Sequence, residues 1–452
     1  MRVNNKQLGI LCKTTYMNLV KYIFCFDNTI VQLRNKILFV LLFILMFSNV
    51  STAQYRTEIF KDDIKTLTLR YADDPTLLQR PFLVLNDDKT LEIAFDQLSQ
   101  ITHHYSYTLV HCNADWTESG IFTTDYLKGF TSADITDYQF SETTHQDYTH
   151  YRFEFPNEDM APTISGNYVI KIYEDNNQDN IIATVCLSIV EPQVEIETSI
   201  TSQTSIELSG RYQQLDIDIN YGDYYVANPE EITLVVQQNN RRDNMVFKPH
   251  PSVINAQSLS FVNNKELIFE GGNEYRTFDL YSVYILGAGV DRILFENNEF
   301  HALLYPSENY TKDPHYISTD DADGQFLINA ERTAADEIDY RADYMYVHFF
   351  LPCDNPFFDG NLYVSGDMTY NKFDLTNRMF YSYEEKGYFC TLYLKQGGYN
   401  YQYLFLQKNQ NAATTQRTEG SFWETKNEYT IMVYHRPFGS RYDHLIAYKQ
   451  IY

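Results

Sequence analysis

The sequence predicts an all-β chain of β-sandwiches in series, and three observations predict it. Tyr and Phe are abundant, at 39 and 30 in 452 residues, and aromatic side chains favour pleated, half-buried surfaces. Long runs alternate inward and outward side chains with period two, as strands do. Beyond the first fifty residues no amphipathic helical pattern stands out.

The chain opens on a leader. Arg34, Asn35 and Lys36 precede an apolar run from Ile37 to Phe47, and Ser51 and Ala53 follow as small residues two apart. A basic end, a short apolar core and a small-x-small exit describe a secretory signal peptide over 1–53, cleaved between Ala53 and Gln54. The core is shorter than the roughly 20 residues a bilayer span needs. Residues 1–33 are long for the basic end, so a start at Met17 or later is an equal reading. No segment after Ala53 is apolar enough to span a membrane as a helix.

The first unit, 54–193, holds strands around Leu83–Leu85, Leu91–Asp96, Tyr105–Cys112, Tyr151–Phe155, Tyr168–Tyr173 and Ala183–Val190, ending near Pro192. The second, 194–310, holds Leu215–Ile219, Ile232–Gln237, Glu266–Phe269 and Tyr275–Leu280, with turns at Asn239-Asn240 and Gly271-Gly272-Asn273. The third, 311–452, holds Tyr344–Leu351, Gly360–Ser365, Gly387–Leu394 and Gly397–Leu406, and closes with Tyr429–Tyr434 and Leu445–Tyr448. Turn residues separate the runs, as in a sandwich. Three such units without a long linker imply an elongated body.

Charge narrows the function. The chain carries 35 Lys and Arg against 60 Asp and Glu. Residues 1–53 hold six of the basic residues and one Asp, which leaves 29 basic and 59 acidic side chains, a net charge of −30. That balance excludes a nucleic-acid footprint and adsorption to anionic lipid. The acid falls in turns such as Asp73-Asp74, Asp87-Asp88 and Asp320-Asp321 and reads as solvated surface. Four cysteines follow the leader, Cys112, Cys186, Cys353 and Cys390. None has a CxxC or zinc spacing. Cys112, Cys186 and Cys390 read as small buried hydrophobes; were a disulfide to form, Cys353–Cys390 would be the pair.

No catalytic, cofactor-binding or metal set emerges. There is no GxSxG, GxxxxGK[ST] or GxGxxG. His111 and Cys112 adjoin on a strand and so face opposite sides. His103-His104 read as a solvated loop, and His145 and His150 as unrelated turn positions. A glycosidase needs two carboxyls held across a sugar cleft, and no scaffold for them is evident.

Gly360–Asp367, Gly387–Leu394 and Gly397–Leu406 in this order resemble the early-set immunoglobulin-like domains found beside starch- and glycogen-active enzymes. Such modules bind and do not catalyse. The glycogen-binding type grips sugar with Trp rings after the Gly-Asp segment. Here Gly366-Asp367 leads to Tyr370 and Phe373 without a Trp, which argues against sugar binding.

A longer set of ordered motifs is more specific. It runs from His111-Cys112-Asn113-Ala114-Asp115-Trp116 through Lys128-Gly129-Phe130 to Ser165-Gly166-Asn167-Tyr168. It resumes at Leu394-Lys395-Gln396-Gly397, Tyr399-Asn400-Tyr401-Gln402-Tyr403, Glu428-Tyr429-Thr430, Arg436-Pro437 and Arg441-Tyr442-Asp443. This set resembles the type IX secretion system plug protein family of Bacteroidota, from about 54 to 452. The resemblance implies a non-enzymatic periplasmic protein at the inner face of the outer membrane, whose partner is the translocon barrel and which covers that barrel's periplasmic end. A secreted carbohydrate-binding accessory module and a surface adhesin are the alternatives. Residue by residue, Trp116 reads as packing the first sandwich, Asp115 as bonding turn amides, Gly129 and Gly166 as positions of positive φ, Tyr399, Tyr401 and Tyr403 as one strand face, and Arg441 as a local partner of Asp443.

Terminal sequencing of the protein from its native host is expected to start at Gln54. A retained leader, or a lipid-modified cysteine at the terminus, contradicts the assignment.

Overall fold

The computed structural model describes residues 54–204, 210–311, 316 and 318–452; Ala53 and the rest of the leader lie outside the described residues. The described chain is nearly all β, with only two four-residue α-helices, Thr123–Tyr126 and Ile338–Arg341, and three single 3-10 turns. No helix among the described residues is long and apolar enough to cross a membrane.

The first sandwich is legible strand by strand. One sheet orders Glu58–Ile59, Ile181–Val190, Gly166–Glu174, Tyr105–Cys112 and Ala133–Ile135. The other orders Ile64–Tyr71, Leu91–Gln97, Thr149–Phe155 and Asp137–Phe140. Their inner faces meet in a core that includes Ile93, Phe95, Tyr107, Tyr151, Tyr168 and Ile170.

The next two sandwiches do not divide at 310. Ile232–Gln238 pairs with Tyr429–His435, which pairs with His444–Ile451. The last two strands therefore belong to the second sandwich, facing the sheet built on Tyr212–Asn220 across Leu215, Ile217, Val236, Ile431 and Ile446. Conversely, Arg276–Asp279 pairs with Gly397–Gln407, and Glu299–Leu304 runs parallel to Tyr344–Pro352. The third sandwich thus begins near 275 and is inserted into the second. Period-two patterns identify strands but carry no information about partners far along the chain, so the expected boundary misses this insertion.

The contacts also add what a simple rod lacks, because the first sandwich bonds directly to the third. Lys395 Nζ donates to Asp96 Oδ2 at 2.5 Å and to the Asp339 carbonyl at 2.5 Å. Tyr344 donates to the same Asp96 oxygen at 2.6 Å, and His150 Nδ1 lies 2.7 Å from Oδ1. Lys395 and Asp96 are essentially inaccessible to water. Burial opposes ionisation of Asp96, but Lys395 and His150 outweigh it and hold the carboxyl below its usual range. A buried pair tolerates its desolvation only when the remaining lone pairs are satisfied, as both Asp96 oxygens are. His150 is therefore a strand residue of this network and not a turn position.

Lys395→Met should leave Asp96 buried without its ammonium partner, with only His150 and Tyr344 bonded to it, at a cost of about 3–5 kcal/mol. Urea unfolding at neutral pH measures it; a loss below about 1 kcal/mol would show that the network contributes little.

Candidate functional site at the junction of the sandwiches

The ordered motifs, far apart in sequence, meet between the first and second sandwiches. After the strand Tyr105–Cys112 the chain turns through Asn113-Ala114-Asp115-Trp116, with Trp116 at φ 65. Asp115 Oδ1 accepts from the Thr117 amide at 3.0 Å and its hydroxyl at 2.6 Å, which fixes the turn. The Ala114 amide then donates to Asp443 Oδ2 at 2.9 Å, and the Tyr434 hydroxyl donates to Asn167 Oδ1 at 2.9 Å. The His111 ring meets Tyr442 edge-on at 5.2 Å. Gly166 has φ 144, and a Cβ there would stand 2.4 Å from His111 Nε2. Burial pushes His111 down to about 4, so it is a neutral packing residue at ordinary pH. Cys112 faces the other way, buried with Trp116 and Val169, and burial raises its thiol well above the usual range. The four cysteines among the described residues are free thiols.

Other motif residues are placed as follows. Gly129, at φ 107, approaches the Asp159 carbonyl so closely that a Cβ would lie 2.2 Å from it, and Phe130 beside it is 65% exposed. Tyr168 is buried and donates to the Ile164 carbonyl at 2.7 Å. Gly397 lies against the Leu327 backbone. Tyr399, Tyr401 and Tyr403 share one strand face, as expected, and that face is core: Tyr399 stacks on Phe278 at 5.1 Å, and Tyr403 shares a hydrogen bond with Ser307 at 2.8 Å. Arg441 is a correction. It pairs with Asp125 of the first sandwich at 2.6 Å, while Asp443 faces Arg436 at 3.7 Å.

The third meeting point is Arg80, in the loop between Ile64–Tyr71 and Leu83–Val84. Its guanidinium bonds Asp367 of the third sandwich and stands 2.9 Å from Glu428, at the base of a second-sandwich strand. It also donates to the Asp323 carbonyl at 2.9 Å. The Gly366-Asp367 segment is therefore built into the junction, with Gly366 against the Asn400 carbonyl. Tyr370 accepts from the Leu67 amide at 3.2 Å, and Phe373 packs edge-on to Tyr363 at 5.2 Å. The two aromatic residues weighed as a sugar platform are engaged within the protein.

Carboxyls crowd this junction. Asp321 accepts from the Tyr275 and Asp323 amides, so Asp320-Asp321 is not simply solvated acid. Burial, with nearby carboxylates, raises Asp321 to about 6. Burial, Asp321 and Glu428 raise Asp323 to about 8. Glu428 is likewise raised, by burial first and Asp367 second, although Arg80 opposes this. Arg80 itself is held charged by Asp367 and Glu428 in spite of its burial. The pairing itself favours both charges, but burial and Asp367 outweigh it at Glu428. A guanidinium keeps its proton in any protein environment, so the strain of the cluster falls on its carboxyls.

Beside Arg80 a cavity of about 500 Å³ opens between the sandwiches. Its wall includes Trp116, Arg242, Asn240, Asp367 and Tyr370. Sequence reasoning missed Arg80, Asp96 and Arg242, because each acts on a partner remote in sequence. Lys395 and Glu428 do stand inside the motifs, and for Lys395 a charge at the end of an apolar strand run was the available signal.

Fold and junction define a class of chain: a multi-sandwich β-protein whose motif residues bind its sandwiches to one another. Residues 64–191 match the Type 9 secretion system plug protein 1st domain. A crystal structure of a hypothetical protein from Parabacteroides merdae ATCC 43184 is similar at TM-score 0.85 and 37% identity, covering 88% of this chain and 99% of that one. A comparison with curated proteins found no match. The chain belongs to the type IX secretion system plug family and has a role related to that system.

The raised carboxyls make a pH prediction. Asp321 and Asp323 keep protons in the folded chain that the unfolded chain loses near pH 4. The folded state then binds more protons, so their contribution to stability falls as pH rises through about 6 and 8. Asp323→Asn should flatten the decline in melting temperature between about pH 6 and 8. An unaltered slope would show that Asp323 does not carry it.

Proposed function

We propose that this chain is a non-enzymatic plug that caps the periplasmic end of the type IX outer-membrane translocon pore. The observation that carries the reading is the plug-domain match over 64–191. Four further features support it. A cap must resist cargo and solvent without opening along its own seams, and here each sandwich is bonded to both others, the second to the third through the Glu428 amide and Asp323. The histidines and cysteines nearest to any catalytic pattern, His111, Cys112 and His150, are buried in packing contacts. Large aromatic residues remain outside. Phe122 is 71% exposed beside the Arg441–Asp125 pair, and Phe438 is 99% exposed in the hairpin loop that also carries Arg441. Exposed aromatics flanking an Arg have the composition of interface anchors. The chain's negative charge suits a basic rim on the barrel and would speed docking.

On this reading the protein sits in the periplasm, held to the inner face of the outer membrane by protein contact. A deletion strain should admit large hydrophilic probes faster than wild type while secretion persists in part. Phe122→Ala with Phe438→Ala should give an intermediate leak. A deletion strain as tight as wild type would contradict the cap.

A further inference from the structure

The cavity between the sandwiches reverses the charge of the chain around it. Its wall holds Arg56, Arg70, Arg80, Arg242 and Lys372 against only Asp243 and Asp367, in a protein with 60 acidic and 35 basic residues. Most of these charges are already committed. Arg70 is paired with Glu92 and Asp339, Arg80 with Asp367 and Glu428, and Lys372 with Asp374 at 2.8 Å. Asp243 is taken by Arg241 at 2.6 Å and by the Ala413 amide at 2.8 Å.

Two cations remain. Arg56 is exposed at the mouth and has no carboxylate partner among the described residues. Arg242 is half-buried, donates to the Tyr55 carbonyl and has no carboxylate partner among the described residues either. Its guanidinium lies 4.4 Å above the Trp116 ring. Stacking on an indole fixes the guanidinium plane while leaving its N–H edges in that plane. A half-buried cation without a counter-ion bears a desolvation penalty that an incoming anion relieves. The rest of the wall is mixed: Asn240, Gln79 and Thr430 offer polar groups, while Leu77, Leu78 and Phe326 are apolar. That combination suits a chain with carboxylates and carbon surface better than a bare inorganic ion. A volume of about 500 Å³ falls in the range of small-ligand sites.

We infer that this cavity binds an acidic peptide segment, its carboxylate seated on Arg242 and Arg56 beside Trp116. The inference goes beyond the plug reading and does not rest on it, since it needs only the cavity wall. The carboxylate can come from acidic side chains or from a chain end.

Trp116 is itself the reporter. The chain has two Trp, so the full chain carrying Trp423→Phe leaves Trp116 as the sole indole. Its emission is followed while adding an acetylated, amidated hexaglutamate, which offers side-chain carboxylates alone, or an acetylated hexaserine with a free C-terminus, which offers a chain end alone. Amidated hexaserine is the neutral control. At least one anionic peptide should change the emission saturably, and the apparent affinity should fall about tenfold in Arg242→Gln and in Arg56→Gln, and fall again with added salt. Arg56 is exposed, so its variant reads out binding even if Arg242→Gln disturbs packing. The responding peptide identifies the source of the carboxylate. No saturable response to either, an equal response to the neutral control, or affinities unchanged in both variants would overturn the inference.

Discussion

Arg80 cannot shed its charge, and the chain buries it where three sandwiches meet. A buried guanidinium is tolerable only if carboxylates and carbonyls surround it, and here they come from both other sandwiches. Asp367 and the Asp323 carbonyl belong to the third sandwich, and Glu428 to the second. The Arg80 carbonyl in turn accepts from Gln450 Nε2 at 3.0 Å, on the last strand of the chain. The loop bearing Arg80 can therefore satisfy its charge only when both other sandwiches are in position. The Asp96–Lys395 pair imposes the same condition on the first and third, and the Ala114–Asp443 bond on the first and second. An apolar cluster of Ala114, Val190, Val235, Met432 and Leu445 also packs between the first and second sandwiches, and the polar contacts, being directional, fix how the units meet.

The insertion of the third sandwich into the second strengthens this. The strand Tyr429–His435 is central to the second sandwich, yet the chain reaches it only after completing the third. The junction residues Asp323 and Glu428 lie beside the two crossings between these units. Moving one sandwich against the other would have to bend both crossings and break the carboxyl cluster. A body restrained in this way is suited to closing an opening, and a cavity walled by all three sandwiches keeps its shape for the same reason.

Much of this was legible in the sequence. The strands at Tyr105–Cys112, Gly166–Glu174 and Gly397–Gln407 stand where period-two alternation places them, because alternation records directly which face is buried. Tyr399, Tyr401 and Tyr403 do share a face, and Gly129 and Gly166 do take positive φ. Partners were not legible. Arg441 sits two residues from Asp443, and local spacing suggests their pairing, but the loop turns Arg441 to Asp125 instead. The domain boundary failed for the same reason: nothing in Ile232–Gln238 says that its neighbour is Tyr429–His435. The junction showed in the sequence only as motif residues without an evident task, and Arg80 stood outside the motifs altogether.

The most direct measurement is the recovery of partners. The tagged chain, expressed in its native host, is purified from detergent-solubilised outer membranes, and the co-purifying proteins are identified by mass spectrometry. The account expects the type IX translocon barrel in near-equal amount, retained at moderate salt and reduced by substitution of Phe122 and Phe438. Recovery of the chain alone, or with partners outside the secretion system, would contradict it.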